Sequence, residues 1–227
     1  MIDEGAIKFH AAHRTSSLDG RRFGDLACRL IAWREILAKT GLVGQVQGLY
    51  GGFGYGNVSG RLDPPSLPRR RRRFLITGTQ TSGQPCMTLA DFCVVERWDL
   101  EGNRVESWGP AMPSSESMTH GAIYDLGSHI RFVFHAHSPA IWRRSRELRV
   151  PTTDPRAAYG TPEMAREVER LWGASALAEV GILAMAGHED GIVVFGRGAE
   201  EAGQVLLSYL ARAYEAECAA ADGLCSA

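Results

Sequence analysis

The stretch Phe132–His137, which reads Phe-Val-Phe-His-Ala-His, constrains the fold of this chain more than any other. Aromatic and β-branched residues favour a packed β-strand. Alternate side chains of a strand share one face, whereas a helix would point His135 and His137 about 200° apart. The pattern therefore predicts a buried strand that presents two imidazoles to one side, where they can chelate a divalent cation. Two hydrogen-bonded polar residues at a strand end are the alternative.

A third imidazole is available downstream, in a turn between two apolar runs. His188 lies in Gly187–Gly191, which separates Gly181–Ala186 from Ile192–Phe195. Three neutral imidazole nitrogens with an open position form the usual catalytic Zn²⁺ site, and Mn²⁺, Fe²⁺ or Co²⁺ also accept such a site. The sequence thus predicts one divalent metal ion bound by all three histidines.

Glu116 is the candidate for proton transfer beside that ion. Pro113-Ser114-Ser115-Glu116 is predicted to open a helix that runs to about Leu126, with a serine as N-cap. The carboxylate in the first turn either compensates the helix dipole or acts as a general acid and base. His120, one turn later, is interpreted as a structural hydrogen-bonding residue.

Two polar segments are candidates for anion binding. Thr77–Gly83 follows the predicted strand Phe74–Thr77 and is rich in hydroxyls and glycine, so its backbone N–H groups could cradle a phosphate. Ser114 and Ser115 offer hydroxyls and N–H groups at a helix start, which is a second site for an anion. Polar turns without any ligand look the same.

The remaining chain is predicted to form one domain. We expect a flexible N-terminal arm over residues 1–15, a single domain over 16–218 and a frayed tail over 219–227. A helix is predicted from about Leu18 to Lys39. Val46–Tyr50 and Asn57–Leu62 are predicted to be paired strands.

The bulk composition excludes several classes of function. The net charge of −1 argues against DNA or an anionic membrane surface as the main partner. No apolar run approaches the ~20 residues that span a bilayer. Five cysteines without a Cys-x-x-Cys pair predict free thiols and a cytoplasmic location. Arg69–Arg73 is predicted to be a solvated surface loop, with nucleic-acid or phosphate binding as the alternative.

Taken in order, these motifs resemble the class II aldolase/adducin family, in particular the L-fuculose-1-phosphate aldolase type. The resemblance runs over Gly56-Asn57-Val58-Ser59, Thr77–Gly83, Pro113–Glu116, His135–His137 and Gly187-His188. It implies an α/β fold, a three-layer α/β/α sandwich with a central, mainly antiparallel sheet. It also implies a ring-shaped homotetramer with active sites between subunits.

The resemblance also implies roles for individual residues. His135, His137 and His188 would bind the metal, most simply Zn²⁺, and Glu116 would be the catalytic acid and base. The implied substrate-binding residues are Asn57, Thr77, Gly78, Ser114 and Ser115. A tyrosine that donates a proton has no motif here, which leaves Tyr159, Tyr209 and Tyr214 as candidates.

The implied function is a metal-dependent lyase, an aldolase that cleaves a ketose phosphate or a related hydroxy-carbonyl compound through a metal-stabilised enediolate. Glu116 stands where the epimerases of the family tend to have Asp, which favours an aldolase or a dehydratase. Dehydration, epimerisation or decarboxylation at the same site is the alternative. An adducin-like interaction module without catalysis is the alternative from another class.

Overall fold

The structure is a computed structural model that describes residues 6–62, 64 and 66–222. Within these residues the chain forms ten strands and six α-helices. The strands are β1 (His10–Thr15), β2 (Gly44–Gln45), β3 (Gly54–Tyr55), β4 (Asn57–Arg61), β5 (Phe74–Thr77), β6 (Phe92–Asp99), β7 (Arg104–Gly109), β8 (Phe132–His137), β9 (Ile182–Ala184) and β10 (Gly191–Gly196). The helices are α1 (Gly20–Lys39), α2 (Ser117–Leu126), α3 (Pro139–Arg143), α4 (Pro162–Ala174), α5 (Leu177–Val180) and α6 (Ala199–Asp222).

Eight of the strands form one sheet, in the order β1-β7-β6-β5-β4-β8-β10-β9. Every neighbouring pair is antiparallel except β1 and β7, which run parallel. Strands β2 and β3 form a separate ribbon. The prediction of an α/β fold with a mainly antiparallel sheet is therefore confirmed.

Strand β8 lies inside the sheet between β4 and β10, and all six of its residues are buried. Its alternate side chains go to different hydrophobic clusters. Phe132, Phe134 and Ala136 join a cluster that includes residues of α1, α3 and α6. Val133 joins a second cluster that includes residues of α2 and α4. By this alternation His135 and His137 lie on the face of Val133, as the strand prediction requires.

Helix α1 forms where the sequence predicts it and has defined ends. The side chain of Asp19 caps its N-terminus by accepting a hydrogen bond from the Arg21 N–H at 2.9 Å. Gly41 follows the C-cap with φ of +73°, a conformation that glycine adopts without strain. Leu30 and Leu37 are fully buried against the sheet. None of the helices in the described ranges is long and apolar enough to span a bilayer.

The strand predicted over Val46–Tyr50 is wrong. A one-turn 3₁₀-helix occupies Tyr50–Gly52, and the positive φ values of Gly48 (91°) and Tyr50 (47°) are incompatible with a continuous strand. Gly44–Gln45 pairs with Gly54–Tyr55 instead, which makes residues 46–53 the loop of a small hairpin. The second predicted strand, Asn57–Leu62, is confirmed as β4, but it pairs with β5 and β8.

The chain ends are more regular than predicted. Residues His10–Thr15, expected to belong to a flexible arm, form the edge strand β1 because their backbone pairs in register with β7. Helix α6 continues to Asp222, beyond the predicted domain end at residue 218. Residues 1–5 of the arm and 223–227 of the tail lie outside the described residues.

The arginine run Arg69–Arg73 is a loop before β5, as predicted, and part of it fixes the end of α2. Arg69, Arg70 and Arg71 are exposed. The backbone N–H of Arg70 donates to both carboxylate oxygens of Asp125 at 2.9 Å. The Arg72 guanidinium donates to the Tyr124 carbonyl. Arg70 and Arg72 therefore hold the end of α2, and Arg69 forms an ion pair with Glu169.

Candidate metal centre and active site

The imidazoles of His135, His137 and His188 meet in the interior. One nitrogen from each ring lies within 4.8 Å of one nitrogen from both others. The ring centroids are 5.1 Å apart for His135 and His137, 5.0 Å for His135 and His188, and 4.7 Å for His137 and His188. All three side chains are buried. Such a set of donors could hold one metal ion.

The sheet register brings the three rings together. His137 is paired with Gly191 across β8 and β10, and His188 lies in the turn that leads into β10. The Gly191 N–H donates to the carbonyl of His188 at 3.0 Å, which closes that turn. The convergence therefore follows from strand pairing between parts of the chain that are far apart in sequence.

His135 and His137 are held in the neutral form that binds metals. Burial, together with the neighbouring His188, lowers the pKa of His135 and the pKa of His137 well below 6.5. Nδ1–H of His135 donates to the carbonyl of Ile192 at 3.2 Å, which makes Nε2 the nitrogen with the free electron pair. This buried Nε2 has no hydrogen-bond partner within the described part of the chain. A buried nitrogen without a hydrogen-bond partner is what we expect of a histidine whose partner is a metal ion.

Glu116 lies beside the imidazoles, but its place in the helix differs from the prediction. Helix α2 begins at Ser117, and Glu116 is its N-cap rather than a residue of its first turn. No serine side chain caps the helix; the Ser114 hydroxyl instead accepts a hydrogen bond from the Glu116 N–H at 3.3 Å. Oε1 of Glu116 is 3.7 Å from Nδ1 of His188, and the side chain is only 1% exposed.

A narrow cleft joins Glu116 and His135 to most of the predicted substrate-binding residues. Asn57, Gly78, Ser114 and Ser115 all line it. The amide oxygen of Asn57 is buried and has no hydrogen-bond partner among the described residues, so it is available to a ligand. His137 instead borders a neighbouring depression near α3 and α6.

Thr77 is the predicted substrate-binding residue that does not line the cleft. Its hydroxyl oxygen accepts a hydrogen bond from the Val58 N–H at 3.2 Å, which ties β5 to β4. The loop after it does line the cleft through Thr79, Gln80 and Ser82. Gln80 accepts from the Gly54 N–H at 3.0 Å, and Ser82 donates to the Gly56 carbonyl at 2.7 Å.

The close approach of the hairpin to β8 depends on one glycine. A Cβ atom at Gly56 would lie 2.2 Å from Val43 Cγ1 and 3.0 Å from the carbonyl oxygen of His135, and φ is +77°. Only glycine meets both conditions without strain. This glycine begins the Gly56-Asn57-Val58-Ser59 motif, but nothing in the local sequence indicates the contact.

Tyrosines surround the imidazoles, and Tyr50, which has contacts with both Asp190 and His137, was not predicted from the sequence. Tyr50 donates to Oδ2 of Asp190 at 2.8 Å, and its ring centroid is 4.5 Å from that of His137. Burial and the hydrogen bond to Asp190 raise the Tyr50 pKa. Tyr159 stacks on His188 with centroids 4.4 Å apart. Among the predicted tyrosine candidates, Tyr209 and Tyr214 belong to α6, and Tyr214 is 53% exposed.

His120 has the structural hydrogen bond that the sequence analysis expected. Its Nδ1 is 2.7 Å from the hydroxyl oxygen of Ser59, which is also 2.7 Å from the hydroxyl of Tyr124. All three side chains are fully buried. Burial lowers the pKa of His120 to about 3, so the ring is neutral at physiological pH.

Comparison with known families agrees with this arrangement. Residues 35–217 match the model of the class II aldolase and adducin N-terminal domain, which is well over half of the chain. The chain belongs to this family. No curated protein matches the sequence. The family assignment confirms the resemblance that the motifs indicated.

Several solved structures share the fold. An L-fuculose-1-phosphate aldolase from Thermus thermophilus is 20% identical, with a TM-score of 0.62 over 90% of this chain and 99% of that one. A sugar-phosphate aldolase from Thermotoga maritima is 16% identical, with a TM-score of 0.63 over 87% and 97%. YgbL from Klebsiella pneumoniae, described as a putative aldolase/epimerase/decarboxylase, is 18% identical, with a TM-score of 0.61 over 86% and 90%. At these identities the similarity establishes the fold.

Proposed function

We propose that the chain is a divalent-metal-dependent lyase of the aldolase type, which cleaves a ketose phosphate or a related hydroxy-carbonyl compound. The observation that carries this proposal is the buried set of three imidazoles with the Glu116 carboxylate 3.7 Å from one of them. Three neutral nitrogens suit Zn²⁺, and Mn²⁺, Fe²⁺ and Co²⁺ are acceptable. A bound ion would polarise neighbouring hydroxyl and carbonyl oxygens and stabilise the negative charge of an enediolate.

The residues around the imidazoles supply the rest of the chemistry. A base must first remove the proton from the hydroxyl group of the departing carbon, whose oxygen then forms the carbonyl group of the released aldehyde. As the carbon–carbon bond breaks, its electron pair stays on the fragment that already carried a carbonyl group, and that fragment then takes up a proton. Glu116 is the carboxyl group placed to deliver the proton. Its burial excludes bulk water, which would otherwise compete in this transfer.

The cleft would hold the charged end of the substrate. Asn57, Gly78, Ser114 and Ser115 offer an amide, hydroxyls and backbone N–H groups, which are suitable partners of a phosphate. We propose that Thr77 acts indirectly, because its hydroxyl already accepts from Val58. Gln80 and Ser82 are additional candidates for contact with the substrate.

Dehydration, epimerisation or decarboxylation at the same site is the second candidate. A structural neighbour carries the description putative aldolase/epimerase/decarboxylase, and all these reactions place negative charge next to a carbonyl group. The reactions differ in their products, because an aldolase releases two carbon fragments. An interaction module without catalysis would have no need of three buried imidazoles beside a carboxylate.

We further propose a three-layer α/β/α sandwich that assembles into a homotetramer with active sites between subunits. Two hydrophobic clusters, one shared with α1 and α6 and the other with α2 and α4, support the layered arrangement. Val46, Leu49 and Phe53 are each more than 40% exposed in the loop that carries Tyr50, which supports a contact between subunits near the site. Light scattering after size-exclusion chromatography measures the assembly, and a monomeric mass would contradict it.

The test of the function begins with metal content. Wild type, His137→Ala and the control His10→Ala, an exposed histidine on the edge strand β1, are compared by elemental analysis. We expect one divalent ion per chain in wild type and control and its loss in His137→Ala. Ketose phosphates of four to six carbons are then screened, and NMR identifies the products. Absence of both bound metal and metal-stimulated turnover would contradict the proposal.

A further inference from the structure

The imidazole of His188 is covered on one face by Tyr159. The two rings are inclined by 27° and their centroids are 4.4 Å apart. His188 is 4% exposed and Tyr159 is 5% exposed, so both rings lie in the interior. The torsion that turns an imidazole has broad minima, and a packed neighbour therefore decides its angle. Tyr159 is thus placed to set the angle at which His188 meets a metal ion.

The loop that carries Tyr159 packs against two segments of the candidate site. A Cβ atom at Gly187, in the turn before β10, would lie 2.0 Å from the carbonyl oxygen of Ala157. A Cβ atom at Gly160 would lie 2.7 Å from the carbonyl oxygen of Ser115, just before α2. Because packed interiors transmit displacements, a shift of this loop would move both segments.

Residues 6–9, which we call the N-terminal strap, lie against Tyr159. The backbone N–H of Ala6 donates to the hydroxyl oxygen of Tyr159 at 3.2 Å. The ammonium nitrogen of Lys8 is 3.6 Å from the centroid of the tyrosine ring. A cation over an aromatic ring is attracted by the negative charge of the ring face. The N-terminal strap therefore contacts both the hydroxyl and the ring of Tyr159.

Further contacts fix the N-terminal strap on the protein. Phe9 is 6% exposed and belongs to the same hydrophobic cluster as Tyr159. The side-chain amide of Asn103 donates to the carbonyl of Lys8 at 2.9 Å, and the carbonyl of Asn103 accepts from the His10 N–H at 2.8 Å. Chain ends are poorly ordered unless such contacts tie them down. The N-terminal strap is therefore held in place where it meets Tyr159.

We propose that the N-terminal strap is part of the metal centre: it holds Tyr159 against His188 and thereby raises the affinity of the three imidazoles for a divalent ion. This inference rests on the proposed metal site. Lys8 and Tyr159 are positioning residues in it, since neither belongs to the imidazole set. Coupled equilibria affect each other by the same factor. A bound ion must therefore oppose the opening of the N-terminal strap as strongly as the closed strap favours the ion.

The zinc affinity of full-length variants tests the role of Lys8. Lys8→Met removes the cation but keeps a long side chain, and we expect the affinity for Zn²⁺ to fall about threefold. Lys39→Met is the matched control, because Lys39 carries the same charge and is exposed at the end of α1. Its affinity should equal that of wild type. Competition with a fluorescent chelator measures the affinity of all three proteins.

Two replacements of Tyr159 separate the stacked ring from the hydroxyl. Tyr159→Leu removes both and should lower the affinity for Zn²⁺ about tenfold, whereas Tyr159→Phe keeps the ring and should lower it less. Co²⁺ can replace Zn²⁺ in such a site, and its visible absorption spectrum reports the geometry of the ligands. We expect an altered spectrum in Tyr159→Leu and the wild-type spectrum in Tyr159→Phe. A purely structural role of Tyr159 would leave both spectra unchanged.

Trypsin measures the opening of the N-terminal strap, because cleavage after Lys8 requires this segment to leave the surface. We expect Zn²⁺ to slow cleavage after Lys8 about tenfold relative to protein treated with EDTA. Cleavage after Arg71, which is exposed in the loop before β5, should keep its rate. In Tyr159→Leu, saturating Zn²⁺ should give no protection at Lys8. Mass spectrometry of the early fragments measures each rate.

The outcomes separate this inference from the metal site on which it rests. If wild type binds Zn²⁺ but Lys8→Met and Tyr159→Leu bind it equally tightly, the N-terminal strap has no part in the metal centre and the metal site stands. If cleavage after Lys8 in wild type is as fast with Zn²⁺ as with EDTA, the coupling is absent and the inference is wrong. If wild type binds no divalent ion, both proposals are wrong.

Discussion

Oε1 of Glu116 lies 3.7 Å from Nδ1 of His188, although 71 residues separate the two in the sequence. The contact joins the start of α2 to the turn before β10. Among the described residues that line the cleft, Glu116 is the only one with a carboxylate. The contact brings this carboxylate next to the three imidazoles. A proton donor and a metal site at this separation can act on the same small substrate.

Replacement of Glu116 by glutamine should separate proton transfer from metal binding. Glu116→Gln keeps the volume of the side chain but removes its ability to exchange a proton. Because general acid and base catalysis contributes about 10²–10⁴-fold, we expect kcat to fall by that factor while metal content stays at the wild-type level. Steady-state kinetics and elemental analysis of the same preparation measure both quantities.

Glu189→Gln is the matched control for this change. Glu189 follows His188 directly in the chain but is exposed. We expect its activity and metal content to equal those of wild type. If Glu116→Gln is as active as the control, then Glu116 does not transfer the proton.

Loss of the Tyr50 hydroxyl should lower the metal affinity and the stability of the protein without removing a metal ligand. Tyr50→Phe deletes the hydrogen bond to Asp190, a residue that is 6% exposed, and leaves a buried carboxylate with one partner fewer. We expect a loss of about 1–3 kcal/mol in the free energy of unfolding. Metal affinity should fall about tenfold, since Asp190 orients the turn that carries His188. Chemical denaturation and metal titration against a fluorescent chelator provide the two measurements.

Tyr214→Phe serves as the comparison, because Tyr214 is 53% exposed on α6. Its stability and metal affinity should match those of wild type. Equal metal affinity in Tyr50→Phe and Tyr214→Phe would show that the contact between Tyr50 and Asp190 has no part in holding His188.

The elements with a clear local pattern could be predicted from the sequence. Strands β5 and β8 have the bounds that were predicted, because runs of aromatic and β-branched residues favour a packed strand wherever it is placed. The alternation in β8 was sufficient to put His135 and His137 on one face. That His188 lies near His135 and His137 could only be a hypothesis, because the sequence of a turn does not show which strand pairs with the strand that follows the turn.

Features that depend on distant contacts could not be predicted. Strand β1 has no strong pattern of its own and is ordered by pairing with β7, which lies about ninety residues away in the chain. The segment Val46–Tyr50 was predicted to be a strand, but positive φ values at Gly48 and Tyr50 turn it into a loop. The contact between Tyr50 and Asp190 joins residues 140 positions apart, and nothing in the local sequence indicates it.

Gly187 should be required for the position of His188. A Cβ atom at Gly187 would lie 2.0 Å from the carbonyl oxygen of Ala157 and 3.0 Å from that of Pro155. Since both are backbone atoms, Gly187→Ala must displace the turn, and we expect it to destabilise the protein by about 2 kcal/mol or more. Metal content should fall in parallel because the displaced turn carries His188.

Gly173→Ala is the control for backbone crowding. Gly173 lies in α4, and a Cβ atom there would have no atom within 4 Å. This variant should be as stable as wild type or slightly more stable, because alanine favours helix over glycine. Equal unfolding midpoints for Gly187→Ala and Gly173→Ala would contradict the close approach at Gly187.

The buried ring of His120 should make the metal-free protein sensitive to acid. Its pKa falls from 6.5 to about 3 on folding, so between these values the unfolded chain binds a proton that the folded chain does not. The free energy of unfolding should therefore rise with pH in this window, by about 1.4 kcal/mol per pH unit for this one proton. His120→Gln can still hydrogen-bond to Ser59 but does not titrate. Between pH 4 and pH 6, the free energy of unfolding of His120→Gln, measured by urea denaturation, should therefore rise less steeply with pH than that of wild type. We expect the two slopes to differ by about 1.4 kcal/mol per pH unit. His129→Gln, which replaces an exposed histidine, should keep the wild-type slope, and equal slopes in all three proteins would contradict a neutral, buried His120.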